Sequence, residues 1–508
     1  MKKAFTAFMV AMFCFAAQPS YAQVIDDAGA AKLKAIIQED ISYLDDVYTL
    51  GLKYEGEVTV IQHDGYYQVT LPAYTIDPDM GGIVIDIGKV VMNVVPEGDD
   101  LLNKSIALPT PVVMKNAEGT ELWRLDIGKQ KSQAQYVPSI QVTPKYNYSL
   151  QGVKLTIADA GTLSIDDLVL MMNLERDENG YYSGPSKYEI KGIKFQADHG
   201  EDRVNIGSIV LDGPSEACDM AGLTAYMKGL GKVDPAQMAP EEIGKFLGSL
   251  WNEVLQFCDS GGLNFSMKDL EILSKEPDGT EQAIRLEAFG FGLSLHDMRS
   301  EKNTLGTTAT LKGLSIPCLR DECRKFLPRV FEYKMKIVDL PAKALFAILL
   351  STIQPDTGEF NPADPQVILK ILSDAGTKYV LESALFETEM LGGALDGGLR
   401  IDAEAANGLT ALFHGKLRNL GETITYFETM MPDMPSQLQD IYWVLMLADH
   451  LVQPETESPE GQDERLYELQ VTREGAVLVN GQDIMEMAME AEAEGEGEAE
   501  SPPPEQEP

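Results

Sequence analysis

The chain has 508 residues, and its 80 acidic and 41 basic side chains give a formal charge of −39. That length accommodates about three domains or one long repetitive one. The acidic excess excludes nucleic acid and anionic lipid headgroups as charge-recognised partners, because both need a cationic footprint. A composition that is 44% apolar and 24% charged excludes global disorder.

In chain order, residues 1–22 read as a cleavable signal peptide. Lys2 and Lys3 open it, Ala4 to Ala17 is apolar apart from Thr6, and Ser20-Tyr21-Ala22 offers the small residues that a signal peptidase needs. The apolar stretch is too short for a bilayer core of about 30 Å. No later segment is longer, so no transmembrane segment is expected in the mature chain, and the expected compartment is the periplasm. Residues 23–50 are expected as an N-terminal helix, with Leu33, Ile36, Ile37, Ile41 and Leu44 at helical spacing.

An internal repeat dominates residues 51–214 and 261–317. Tyr148-Ser-Leu-Gln-Gly-Val-Lys-Leu155 returns as Tyr188-Glu-Ile-Lys-Gly-Ile-Lys-Phe195, an interval of 40. Looser copies are Phe265-Ser-Met-Lys-Asp-Leu-Glu-Ile272 and Ala309-Thr-Leu-Lys-Gly-Leu-Ser-Ile316, with Tyr379-Val-Leu-Glu-Ser-Ala-Leu-Phe386 as a candidate fifth. A second phrase, Ile85-Asp-Ile-Gly88, recurs as Leu125-Asp-Ile-Gly128 and Val204-Asn-Ile-Gly207. Each copy reads as apolar/polar alternation, the mark of a half-buried antiparallel strand, with the internal glycine at a bend or bulge. Hairpin signals separate the copies: His63-Asp-Gly65, Glu118-Gly-Thr120, Glu178-Asn-Gly180, Asp278-Gly-Thr280 and Glu474-Gly475. The expected fold is α+β and β-dominated: a long curved antiparallel meander of ~40-residue repeats with helical insertions packed on it.

Those insertions are a helical hairpin at 215–260 and a helical region at 318–378 broken by Pro328, Pro341 and Pro355. Residues 379–452 are expected as strands plus a C-terminal helix that buries Leu438, Ile441, Tyr442, Leu445 and Ala448. A linker and hairpin follow at 453–483, and 484–508 is a disordered acidic tail. Apart from Cys14, which lies in the apolar leader, the cysteines are Cys218, Cys258, Cys318 and Cys323. In an oxidising compartment four cysteines read as two disulfides with three connectivities, of which Cys218–Cys258 with Cys318–Cys323 is the simplest.

Catalytic signatures are missing: no GxSxG, HExxH, P-loop, EF-hand or GxGxxG run is found. His63, His199, His296, His414 and His450 are scattered singly. Asp77-Pro-Asp79 and Asp166-Asp167 are paired carboxylates of the kind expected by chance in so acidic a chain, and Tyr66-Tyr67 and Tyr181-Tyr182 offer rings for core packing or sugar stacking. No catalytic residue, metal site or cofactor is expected.

The strand–Gly–strand phrases, together with Tyr467-Glu-Leu-Gln-Val-Thr-Arg-Glu-Gly-Ala-Val-Leu-Val-Asn-Gly481, resemble exported bacterial proteins of the YdgA-like kind and, more distantly, AsmA-like envelope proteins. The resemblance implies a long β-sheet fold and, from the AsmA-like side, an envelope or lipid-handling role. The resulting expectation is a non-enzymatic periplasmic protein that binds a lipid or other amphiphile on the apolar face of its sheet. The alternatives are a scaffold for an envelope protein partner and, further off, a carboxylate-dependent hydrolase.

Overall fold

The protein is described by a computed structural model over residues 25–48, 52–76, 84–97, 100–116, 118–198, 202–230, 256–275, 280–317, 319–351, 364–430, 436–451 and 463–484. The expected signal peptide, Asp77–Asp79, His199, most of the second half of the 215–260 hairpin, Asp278-Gly279, Cys318 and the acidic tail lie outside these residues. The fold is β-dominated α+β, and among the described residues the strand pairings are antiparallel. The chain divides into two units. The first comprises Met1–Ser300, Gly313–Cys318 and Ile353–Phe360; the second comprises Glu301–Lys312, Leu319–Thr352 and Asn361–Pro508.

In the first unit, α1 (Asp27–Tyr48) starts where Asp26 caps it, its Oδ1 accepting from the Gly29 N–H at 2.7 Å. Leu33, Ile36 and Ile37 are buried, as their spacing requires; the side chains of Ile41 and Leu44 lie outside the description. Leu33 and Ile37 pack with Tyr67, Val69, Leu71, Val90, Met92, Val94 and Tyr136. Each such buried side chain contributes about 1.5–3 kcal/mol of transfer free energy.

The strands beneath are β1 (Leu52–Glu55), β2 (Thr59–His63), β3 (Tyr66–Ile76), β4 (Val84–Pro96), β5 (Leu102–Ala107), β6 (Val112–Lys115) and β7 (Glu121–Val137). Both β1 and β2 pair with β3, and β5 and β6 lie end to end between β4 and β7. Long strands follow as a meander: β8 (Val142–Ile157), β9 (Gly161–Asn173), the short β10 (Glu175–Arg176), β11 (Tyr182–Ala197), β12 (Arg203–Cys218), β13 (Ser260–Lys275) and β14 (Glu281–His296). Asp64-Gly65 and Glu118-Gly119 turn as expected, with both glycines at positive φ.

The repeat departs from strict alternation in one informative way. In Tyr148 to Leu155 the apolar positions are Tyr148, Leu150, Val153 and Leu155, so one residue is added between the second and third. The added residue, Gly152, has φ +62°. Its counterparts Gly192, Asp269 and Gly313 have φ of +62°, +54° and +64°. Neighbouring strands make the same slip. The ladder passes over Gly128 against Gly152, Gly152 against Asp166, Gly192 against Gly207, and Asp269 against Glu287. A seam therefore crosses the sheet and lets apolar side chains return to one face on both sides of it. In β7, Leu125 and Ile127 share that buried face with Leu150 and Val153 of β8. Glycine suits the seam because a Cβ disfavours left-handed backbone.

Beyond β12, α2 (Met220–Leu230) is capped by Asp219, whose Oδ1 accepts from the Gly222 N–H at 2.9 Å. The Cys218–Cys258 disulfide closes the base of this insertion, its Cα atoms 4.0 Å apart. Strand β12 runs to Cys218, so residues 215–218 are strand where a helix is expected from the sequence. The ladder to β13 is the reason: Ser215 pairs with Gly261 and Glu216 with Ser260.

The second unit is a meander of β15 (Asn303–Lys312), β16 (Val330–Leu340), β17 (Lys378–Glu387), β18 (Gly392–Ile401), β19 (Leu409–Arg418), β20 (Glu464–Val471), β21 (Val477–Val479) and β22 (Gln482–Asp483). Its helices are α3 (Asp321–Arg324), α4 (Ala342–Ser351), α5 (Pro365–Ala375), α6 (Leu420–Met430) and α7 (Ser436–Leu451). Strand β16 stands inside the region expected to be helical at 318–378. Phe331, Tyr333, Met335 and Ile337 alternate there with Glu332, Lys334 and Lys336, and a period of two makes a strand. The fifth repeat copy keeps the slip without a left-handed residue: β17 pairs Leu381 with Gly397 and Ala384 with Leu395, leaving Glu382 and Ser383 as a bulge against Asp396.

Candidate functional site

Cross-strand register sorts the second unit's sheet into a wet and a dry face. On the wet face, Lys334 and Lys336 both reach Glu382 at 2.5 Å, and Lys416 reaches Glu464 at 2.6 Å. His414 stands between Asp396 at 3.4 Å and Glu468 at 3.8 Å on this face. The dry face carries Phe331, Tyr333, Phe386, Leu395, Phe413, Leu417, Tyr467 and Leu469.

Helices α6 and α7 cover part of that face. Leu420, Ile424 and Phe427 of α6 and Tyr442 and Leu445 of α7 form a core with Leu391, and Phe386 and Leu417 of the sheet pack against it. Phe326 stacks on Phe427 with ring centroids 4.9 Å apart.

Beside this core the dry face stays open as an apolar trough of about 470 Å³. Its floor is Phe331, Ala384, Phe386, Gly393, Leu395, Phe413, Gly415, Leu417, Tyr467 and Leu469, and one wall is Ala448 and Leu451 of α7. Two glycines shape it. Gly393 lets the Phe386 ring lie across the backbone, where a Cβ would collide with that ring. At Gly415 a Cβ would meet Tyr467 Cβ at 3.5 Å and Leu395 Cδ1 at 3.6 Å, ordinary contacts, so the space above it is unfilled rather than forbidden. Phe331 and Leu395 at the rim are 39% and 41% exposed. The Tyr467 hydroxyl donates to the Ala448 carbonyl at 3.1 Å, and burial pushes its pKa up to about 12.

Arg465, paired with Leu417 across the ladder, is buried. Its Nη2 donates to Asp449 Oδ1 of α7 at 2.8 Å, and its Nε lies 3.2 Å from Asp463 Oδ1. The sequence leads one to expect an apolar sheet face open to an amphiphile, but neither its place in the second unit nor Arg465 is foreseen. The signal for the arginine was present: Arg465, Tyr467 and Leu469 alternate with Glu464, Leu466 and Glu468, which puts the guanidinium on the apolar side.

The first unit has its own open apolar surface. Leu263 and Phe265 of β13 pair with Leu293 and Phe291 of β14 on the dry face, and Leu263, Phe291 and Leu293 are exposed. The first unit also holds an open concavity of about 730 Å³ in which Asn93, Gln133 and Asn147 mix with apolar Val95, Met171 and Met172.

Residues singled out in the sequence do not gather into a second site. Tyr67 and Tyr182 are buried, Tyr66 stacks on His63 at 4.7 Å, and the Arg299 guanidinium lies 4.4 Å over the Tyr181 ring. Asp166 reaches Lys194 at 3.7 Å, and Asp167 accepts from Ser149 at 3.3 Å. Among the described residues no group of His, Cys, Asp or Glu could hold a metal, and no helix is long and apolar enough to cross a membrane. Within those residues Cys323 bonds no other cysteine, and its expected partner Cys318 lies outside them. Helix α7 turns Tyr442 and Leu445 inward as expected, but Ile441 points outward with Trp443, Val444 and Leu447. The reason is angular: at 100° per residue the inner arc centres between Tyr442 and Leu445 and leaves Ile441 at its edge.

The carboxylates whose pKa shifts are resolved move away from acid catalysis. Arg285 and Asn205 hold Glu271 below its usual range, and Lys334 and Lys336 do so for Glu382. At Glu189 burial opposes the shift, but Lys191 and Lys187 outweigh it and lower the pKa. Compared with family models, curated proteins and solved structures, the chain matches none.

Proposed function

We propose that the protein is a non-enzymatic envelope protein, exported to the periplasm, that holds a lipid or other amphiphile in the trough of its second unit. The observation that carries this reading is the trough itself: helices α6 and α7 bury one part of an apolar sheet face and leave another part open, floored by aromatic and leucine side chains. Export is supported by the leader pattern and by the Cys218–Cys258 disulfide, a bond that persists in oxidising compartments. The likeness of the repeats to YdgA-like and AsmA-like envelope proteins points the same way.

The test is native mass spectrometry of protein isolated from periplasm, followed by solvent extraction. A lipid-mass adduct released on denaturation is expected. A bare polypeptide mass, together with no uptake of a fluorescent single-chain amphiphile, overturns the reading.

A scaffold role is favoured by a different observation, the outward face of α7, where Trp443 and Val444 are 62% and 65% exposed. That reading predicts a stoichiometric envelope protein partner whose cross-links map to Trp443 and Leu447.

A further inference from the structure

Two cations in the strands of the second unit are left without a counter-charge. Lys312, Lys334, Lys336, Lys416, Arg418 and Arg465 each face a carboxylate at 2.5 to 3.7 Å. Lys378 of β17 and Arg400 of β18 are the other lysine and arginine of these strands. Both are exposed, and among the described residues neither side chain has an ion pair or hydrogen bond. They also stand directly opposite each other in the ladder, where like charges destabilise a sheet. In a chain with 80 acidic side chains a carboxylate at either position would have relieved that cost.

The two side chains open onto a concavity. Arg400 pairs on its other side with Thr410, so Lys378, Arg400 and Thr410 form one row. Val380, Gly398, Leu412 and Gln470 form the next. Val380 stands opposite Lys336, which puts both rows on the wet face, away from the trough. Together they line an open hollow of about 550 Å³. Gly398 leaves its floor bare beside Arg400, because a Cβ there would strike the Tyr379 carbonyl at 2.6 Å. Leu412, 42% exposed, supplies an apolar patch next to it.

The charge around the hollow decides its ligand. Arg473 at the rim is held by Asp402 and Glu404, and Glu474 follows it on the turn after β20. More distant carboxylates are screened beyond about 8 Å at physiological ionic strength, so the bare pair dominates the local field. A guanidinium grips oxyanions with a planar fork, and a lysine adds a point charge. Two facing positive charges are matched by a phosphate, which carries about −1.5 to −2 near neutral pH, better than by a single carboxylate.

We propose that Lys378, Arg400 and Thr410 bind the phosphate group of a small soluble molecule whose body lies over Gly398 against Leu412. A phosphate embedded in a membrane is disfavoured, because a chain of net charge −39 is repelled by an anionic surface. The site is independent of any amphiphile in the trough.

The test is equilibrium dialysis of radiolabelled inorganic phosphate against the full chain, in chloride at constant ionic strength. One phosphate per chain is expected to bind saturably and to be displaced by glycerol phosphate, with acetate at least fivefold weaker as a competitor. Lys378→Gln and Arg400→Gln are each expected to weaken phosphate about fivefold, the worth of one exposed ion pair. Lys334→Gln, on the same face but paired with Glu382, is expected to leave binding unchanged. Each of the first two substitutions also relieves like-charge repulsion, so neither is expected to lower the melting temperature in phosphate-free buffer, and weaker binding is then not a loss of fold. Phosphate uptake no greater than that of acetate, or uptake unchanged when both Lys378 and Arg400 are replaced by glutamine, overturns the site. Sedimentation of the chain with vesicles of phosphatidate and phosphatidylcholine, without retention of inorganic phosphate or glycerol phosphate, overturns the assignment to a soluble ligand.

Discussion

Gly192 of β11 lies directly against the carboxylate of Asp166 on β9, in the space where a side chain would otherwise stand. Gly192 is also left-handed, as is Gly152 one repeat earlier, but Gly152 has no more than the Gly128 Cα near the place of its missing Cβ, at 3.9 Å. The two positions therefore separate backbone strain from collision. Gly152→Ala is expected to destabilise by about 1–2 kcal/mol through left-handed strain alone. Gly192→Ala adds overpacking and is expected to lose about 2–4 kcal/mol. Urea unfolding of the two variants checks the order, and equal losses would show that the carboxylate simply swings aside.

The disulfide between Cys218 and Cys258 closes a loop of sequence separation 40. Closing such a loop restricts the unfolded chain by about 4 kcal/mol. The double variant Cys218→Ser, Cys258→Ser is expected to lose roughly that amount, read as a lower urea midpoint for the first unit. Asp219 and Phe257 are joined by a backbone hydrogen bond beside the disulfide, so α2 is expected to begin at the same residue in the variant.

Filling the trough is expected to separate binding from folding. A leucine at Gly415 has room for its Cβ and an ordinary backbone conformation, and its branches point into the trough. Gly415→Leu is expected to weaken uptake of a fluorescent single-chain amphiphile by tenfold or more with little change in melting temperature. Unchanged uptake at unchanged stability would place the bound amphiphile elsewhere.

Half-buried phenols set an alkaline limit. Burial pushes Tyr148, Tyr379 and Tyr467 up to about 12, with the bond to Tyr333 adding to the shift at Tyr379. Tyr146 is raised further by burial and by its 2.9 Å bond to Tyr188. An unfolded tyrosine loses its proton near pH 10. Above that pH the folded chain holds protons that the unfolded chain has released, so stability falls as pH rises from about 10 to 12. Below pH 10 this contribution is fully present. Tyrosinate absorbance and circular dichroism, followed together, are expected to show these phenols ionising in step with unfolding. Early ionisation of the whole set without loss of structure would contradict their burial.

What the sequence determined by itself was local. Apolar periodicity marked the antiparallel strands and α1, Asp64-Gly65 and Glu118-Gly119 marked their turns, and the cysteine spacing made Cys218–Cys258 part of the simplest of three connectivities, the pairing the structure forms. Each depends on residues near one another or on one covalent bond, so pattern suffices. Strand β16 was legible too, in the alternation from Phe331 to Ile337, but Pro328 and Pro341 on either side drew attention to helix breaks. The seam and the trough were decided by tertiary structure. Whether Gly152 bends a strand or merely sits in one depends on Gly128 and Asp166 slipping at the same level of neighbouring strands. Gly415 opens a trough only because register sets it against Tyr467 and Leu395, while α7 stops short of covering it. Arg465 becomes a buried, half-satisfied cation only when α7 folds back to bring Asp449 to it. Burial, and with it the energy of an unfilled donor, is a property of what packs against a residue, and that is set by chain segments far away in sequence.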